Sequence, residues 1–118
     1  MSGQDSIPGG IALKTDGTKM YVVGNGGNDI NEYDLSTPWD VSTAVFNSPS
    51  FSVASEETAP HGMSFKPDGT RMYVVGSGSG GDIFEYNLST PWVTSTASFL
   101  QAFSVNSEDS SPTGISFK

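Results

Sequence analysis

The sequence contains no cysteine, one histidine and only five Lys and Arg residues against thirteen Asp and Glu. Without cysteine there is no disulfide, no thiolate metal site and no cysteine nucleophile. With a net charge of −8 and a pI near 4.2, the chain lacks the cationic surface that phosphate backbones and anionic lipids require, so neither nucleic acid nor membrane insertion is expected. No apolar run approaches the length of a membrane span. The opening stretch MSGQDSIPGG has neither the basic region nor the apolar core of a signal peptide. Helical periodicity is missing too, because Gly and Pro punctuate each window in which it would develop.

What is present is repetition. Asp16-Gly17-Thr18 returns as Asp68-Gly69-Thr70, and Phe51-Ser52-Val53 as Phe103-Ser104-Val105, both at an offset of 52. Leu35-Ser36-Thr37-Pro38-Trp39 returns as Leu88-Ser89-Thr90-Pro91-Trp92 at an offset of 53. The second copy therefore gains a residue in the Gly-rich loop and loses one before Phe103, where loops and bulges absorb such changes. A third partial copy exists: SIPGGIALK (6–14), TAPHGMSFK (58–66) and SSPTGISFK (110–118) are versions of one segment. A period near 50 residues marks a propeller blade or a solenoid turn.

Each copy reads as four antiparallel strands. The first covers 10–13, with Ile11 and Leu13 on one face, and Met63, Phe65, Ile115 and Phe117 take the same sites later. Asp-Gly turns lead to central strands at 20–23 and 72–75, apolar on both faces. Third strands follow at 30–35 and 83–88, where Tyr33, Tyr86, Glu32 and Glu85 are read as packing and cross-strand pairs. The fourth strands end at 51–53 and 103–105, the latter as an edge strand with alternating Ala97, Phe99, Gln101 and Phe103. Phe65, Val74 and Phe117 are expected to be buried.

The fold class expected is thus all-β, with two four-stranded propeller blades (about 6–54 and 58–106) and an extra first strand within 110–118, all in a single unit of residues 1–118. KTDGTKMYVVG (14–24) and KPDGTRMYVVG (66–76) resemble the Pro-Asp-Gly turn and Tyr-Val strand signature of YVTN-type and lactonase-like propellers. The resemblance covers the first two strands of each blade, under half the chain. It implies a propeller and says little about activity, and the STPWDVSTA connection is longer than is usual in those propellers. Two blades fall short of the roughly four to eight that close a ring. The expectation is therefore a homo-oligomer, a trimer before a tetramer, or a longer parent chain.

Propeller geometry sorts the loops onto two ends. One end collects the Asp-Gly turns and the STPW loops. The other collects the Gly-rich loops and the link between blades, and with them Asp29, Asp82, Glu56, Glu57, Glu108 and Asp109. Such a set of carboxylates is a candidate site for Ca2+, which takes several oxygen ligands, but no stretch has the ordered ligand spacing of a Ca2+ loop, which favours turn caps and solvated loop residues. His61 is a candidate channel-lining ligand or base, but its repeat equivalents are Gly9 and Thr113. Trp39 and Trp92 are candidate aromatic platforms for a glycan, or anchors that hold the Pro-kinked loop on a blade. No catalytic set stands out. The leading function is a non-enzymatic binding or scaffold propeller for a glycan or protein. The alternatives are a metal-dependent lactonase-like hydrolase and a purely structural module of a virion or cell-surface protein. The hydroxyl- and amide-rich surface favours an extracellular, surface or virion context.

Overall fold

In a computed structural model of the chain, residues 8–24, 26–78, 81–105, 107 and 114–115 are described. Glu108, Asp109, Phe117 and most of the extra strand assigned to 110–118 lie outside them, and Gly114 and Ile115 belong to no strand. The described residues form eight strands and two short 3-10 turns, with no α-helix among them. No helix is long and apolar enough to cross a membrane.

The strands are β1 (Pro8–Leu13), β2 (Lys19–Gly24), β3 (Asp29–Leu35), β4 (Ala44–Ser52), β5 (Pro60–Phe65), β6 (Arg71–Gly76), β7 (Asp82–Leu88) and β8 (Ala97–Ser104). They pair antiparallel, in sequence order, as two separate four-stranded sheets, β1-β2-β3-β4 and β5-β6-β7-β8. The two length adjustments between the copies fall where the sequence placed them. The loop from Gly76 to Asp82 is one residue longer than that from Gly24 to Asp29. The β3–β4 register slips between Ile30 and Glu32, and the β7–β8 register between Glu85 and Tyr86, the second slip being smaller by one residue.

The Asp-Gly turns are built identically. Gly17 and Gly69 sit at φ 76° and 75°, a region that disfavours any side chain. Asp16 Oδ1 accepts from Thr18 N (3.0 Å) and Thr18 Oγ1 (2.6 Å), and Asp68 does the same for Thr70. These bonds, with the lysine two residues earlier as a lesser influence, hold both exposed carboxyls below the usual range. Across the turn, Trp39 N donates to Gly17 O and Trp92 N to Gly69 O, so the STPW loop shares this end of the sheet with the turn, as expected.

The core lies between the sheets. Tyr21, Val23, Ile30 and Val53 of the first repeat meet Met63, Phe65, Met72, Val74, Phe84, Tyr86, Leu88 and Trp92 of the second. Phe65 and Val74 are buried as expected. A smaller cluster of Met20, Val22, Tyr33 and Leu35 occupies the opposite face of the first sheet. The sheets approach most closely at their first strands: a Cβ on Gly10 would lie 2.8 Å from the His61 carbonyl and 2.9 Å from Gly62 Cα. Ile11 is exposed, because the second sheet packs against other residues. One expectation is corrected: the alternation in β8 points to one packed face, but β8 packs little of either, with Phe103 70% exposed, because no described sheet covers it.

Candidate functional site

The most elaborate polar arrangement is at the seam between the sheets. Glu32 is buried in the middle of β3. Its Oε2 accepts from Lys19 Nζ (2.9 Å) and Asn47 Nδ2 (3.1 Å), cross-strand partners in its own sheet. Its Oε1 accepts from Thr94 N (3.0 Å) and Thr94 Oγ1 (2.9 Å), at the start of the 3-10 turn Thr94–Thr96 of the second repeat. A buried carboxylate is tolerable only with such full pairing. Beside it, Tyr21 Oη donates to the Trp92 carbonyl at 2.6 Å. Its ring packs on Phe65 (centroids 4.5 Å apart) and stacks on Trp92 (6.5 Å). Burial, with the nearby Glu32 carboxylate, pushes the Tyr21 phenol upward.

Trp92 thus wedges between its own Asp-Gly turn and the neighbouring sheet and is 8% exposed, which leaves no open face for a sugar. Trp39, its repeat equivalent, is 61% exposed. The loop geometry is the same: φ is 67° at Trp39 and 66° at Trp92, and each indole covers the turn glycine, so that a Cβ at Gly17 would lie 2.5 Å from the Trp39 ring. The two tryptophans differ in what stands beyond them, Tyr21 and its sheet in one case and no described sheet in the other.

At the far end of the sheets, Val53 N donates to Asn28 O and Ser77 N to Ala59 O, which brings the link between repeats beside the Gly-rich loops. Of the expected carboxylates, Glu57, Glu56 and Asp29 engage protein donors near this end. Glu57 is fully buried and its Oε1 accepts from Ala59 N (2.9 Å) and Gly78 N (2.7 Å), pinning the link to the β6–β7 loop. Glu56 accepts from Tyr86 Oη (3.0 Å) and Ser55 Oγ (2.8 Å), and Asp29 from Asn31 Nδ2 (3.2 Å). Asp82 opens β7 and is half-buried. Among the described residues, no three His, Asp or Glu side chains come together in a way that would hold a metal ion. His61 is half-buried on β5, with Nε2 3.2 Å from Ser77 Oγ.

Tyr21 and Thr94 are the seam residues that sequence reasoning did not single out. The signal for Thr94 was its departure from the repeat, since Val41 stands at its first-copy position. Glu32 and Glu85 form the cross-strand pairs that the sequence leads one to expect, with Asn47 and Gln101 as partners.

No protein-family model matches the chain, and no curated protein matches it. Among solved structures, it is similar to a functionally unknown protein from Desulfotomaculum acetoxidans DSM 771, with a TM-score of 0.60 at 19% identity. The match covers 84% of this chain and 27% of that one, so this chain spans about a quarter of its neighbour's length. The likeness concerns the fold alone.

Proposed function

We propose that the two sheets are adjacent blades of a β-propeller, with YVTN-type character in their first two strands, and that the chain is a non-enzymatic binding or scaffold module. The observation that carries this reading is the seam. Two meanders of the same strand order stack face to face, fan out from close-approaching first strands, and are locked by one repeat's Trp and 3-10 turn seated on the previous repeat's Tyr and Glu. Successive blades of a propeller meet in this manner around an axis. A neighbour more than three times as long as the segment it shares with this chain has room for a full ring of such units.

The near-identity of the repeats supports binding over catalysis, because a reaction needs an asymmetric set of groups and the repeat supplies symmetric ones. The surface on offer is the polar end formed by the Gly-rich loops and the link between repeats, suited to a glycan or a protein. A glycan array, run beside a lactone hydrolysis assay with and without added divalent cation, tests the proposal. Binding without turnover is expected. Saturable hydrolysis that heat-denatured protein lacks would contradict it.

A further inference from the structure

We infer that the outward face of the second sheet is a socket for the Trp39 loop of a second copy of this chain, so that copies join head to tail. The inference rests on the blade reading above. That face carries a groove of about 250 Å3 lined by Tyr73, Ile83, Glu85, Gln101, Ala102 and Phe103. Four of these stand one repeat beyond Tyr21, Ile30, Glu32 and Phe51. In the first sheet those four residues form the face on which the second repeat is already seated, through Trp92 and Thr94. The groove is that same seat, repeated and without a described sheet upon it.

The matching wedge is at the other end of the molecule. Trp39 and Val41 are 61% and 58% exposed. They hold the positions of Trp92 and Thr94 in a loop of the same backbone conformation, tied by the same bond to the turn glycine. Val41 lacks the Thr94 hydroxyl, but the backbone N–H that Thr94 gives to Glu32 has its counterpart at Val41, and Glu85 is the acceptor to receive it. Glu85 now takes Arg71 Nη1 on Oε2 and Gln101 Nε2 on Oε1 (2.8 Å). In the first sheet the shorter Asn47 bonds Oε2 and leaves Oε1 to Thr94. Gln101 is exposed and long enough to give way in the same fashion. Met20, Val22, Tyr33 and Leu35, on the Trp39 side of the first sheet, are already buried. The contact is therefore made by the exposed loop and Ile11. A second copy is the occupant favoured, because the contact continues at both ends of the chain the interface that already exists at its centre, and head-to-tail joints of this kind are heterologous.

Light scattering over about 1–500 µM, together with two point variants, tests the inference. Trp39→Ala removes the wedge, and Gln101→Trp, at an exposed position directly opposite Glu85, fills the groove. Wild-type mass should rise with concentration. Each variant should need about thirty-fold more protein to associate, the scale of an interface hot spot. An equimolar mixture of the two should recover one good joint and form dimers, which neither variant forms alone. In Trp39→Ala, Trp92 is the one tryptophan left, and its emission reports the central seam; far-ultraviolet circular dichroism checks the fold of the other variant. Wild type that stays at single-chain mass, with blue-shifted emission from Trp39→Ala, overturns the socket and leaves the blade reading intact. Red-shifted emission from Trp39→Ala contradicts the blade seam itself. Variants that associate like wild type, or a mixture with no recovery, overturn the socket, and in that case a further repeat of a longer chain is the remaining occupant.

Discussion

Replacing Trp92 by Ala and, separately, Trp39 by Ala makes one chemical change in one loop geometry at two places that differ only in their neighbours. The indoles are 8% and 61% exposed, so the second sheet's tryptophan hides about half a side chain more. For a residue that buries up to about 250 Å2, that difference is on the order of 130 Å2, or about 3 kcal/mol at 25 cal/mol/Å2. Trp92→Ala also leaves a cavity against Tyr21 and Phe65, which brings its total cost to about 3–5 kcal/mol. Trp39→Ala loses only its cover over Gly17 and should cost about 1 kcal/mol or less. Urea unfolding at one low protein concentration, the same for both variants, measures both through the midpoint at constant slope. Equal costs for the two variants would refute the reasoning, because then the neighbouring sheet contributes nothing to holding Trp92.

Glu32→Ala strands Asn47 and both Thr94 donors, leaves Lys19 with Asp34 alone, and should cost about 3–5 kcal/mol, while Thr94→Ala, which removes one bond to a charged acceptor, should cost about 1.5–3 kcal/mol; urea midpoints check both. The carboxyls of Asp16 and Asp68, bonded by Thr18 and Thr70, and of Glu85, bonded by Gln101 and then Arg71, are held below their ordinary values of 3.8 and 4.5. A depressed folded-state value stabilises above the ordinary one and is lost below it, so stability should fall as pH drops from about 4.5, and Glu85→Gln should flatten that acid limb in pH-dependent thermal melts. Because Asp29, Glu56 and Glu57 already accept from protein donors, chelator and millimolar Ca2+ should give one melting curve; a rise of the size expected for a bound ligand, about 2.7 kcal/mol at a hundredfold excess, would place a cation there.

The strand order, the Asp-Gly turns and the shared ends of the loops were legible because they repeat, and local turn chemistry and alternation carry them. The sheet-to-sheet packing was legible only as a likelihood of apolar contact, and the unequal fates of Trp39 and Trp92 were not. The same four residues precede the same tryptophan in both copies, so the approach to it does not separate them; what separates them is which sheet lies beyond, a property of chain order. Glu57 shows the converse limit. In sequence it is one of several link carboxylates suited to solvent or a cation. The fold turns it inward because the backbone N–H groups of Ala59 and Gly78 converge on it, twenty-one residues apart in the latter case. Ile11 and Phe103 alternate as core residues should, yet both stand exposed, since alternation selects a face and says nothing of whether a partner covers it.

Native mass spectrometry tests the central claim most directly, that this chain is a pair of blades whose ends are made to receive further blades. Three copies, each of 12.4 kDa, would close a ring of about six blades. The account predicts a dominant species of three times the single-chain mass, with a four-copy species as the larger ring. A single-chain mass that persists at every concentration, or an open-ended ladder of masses with no closed species, would contradict it.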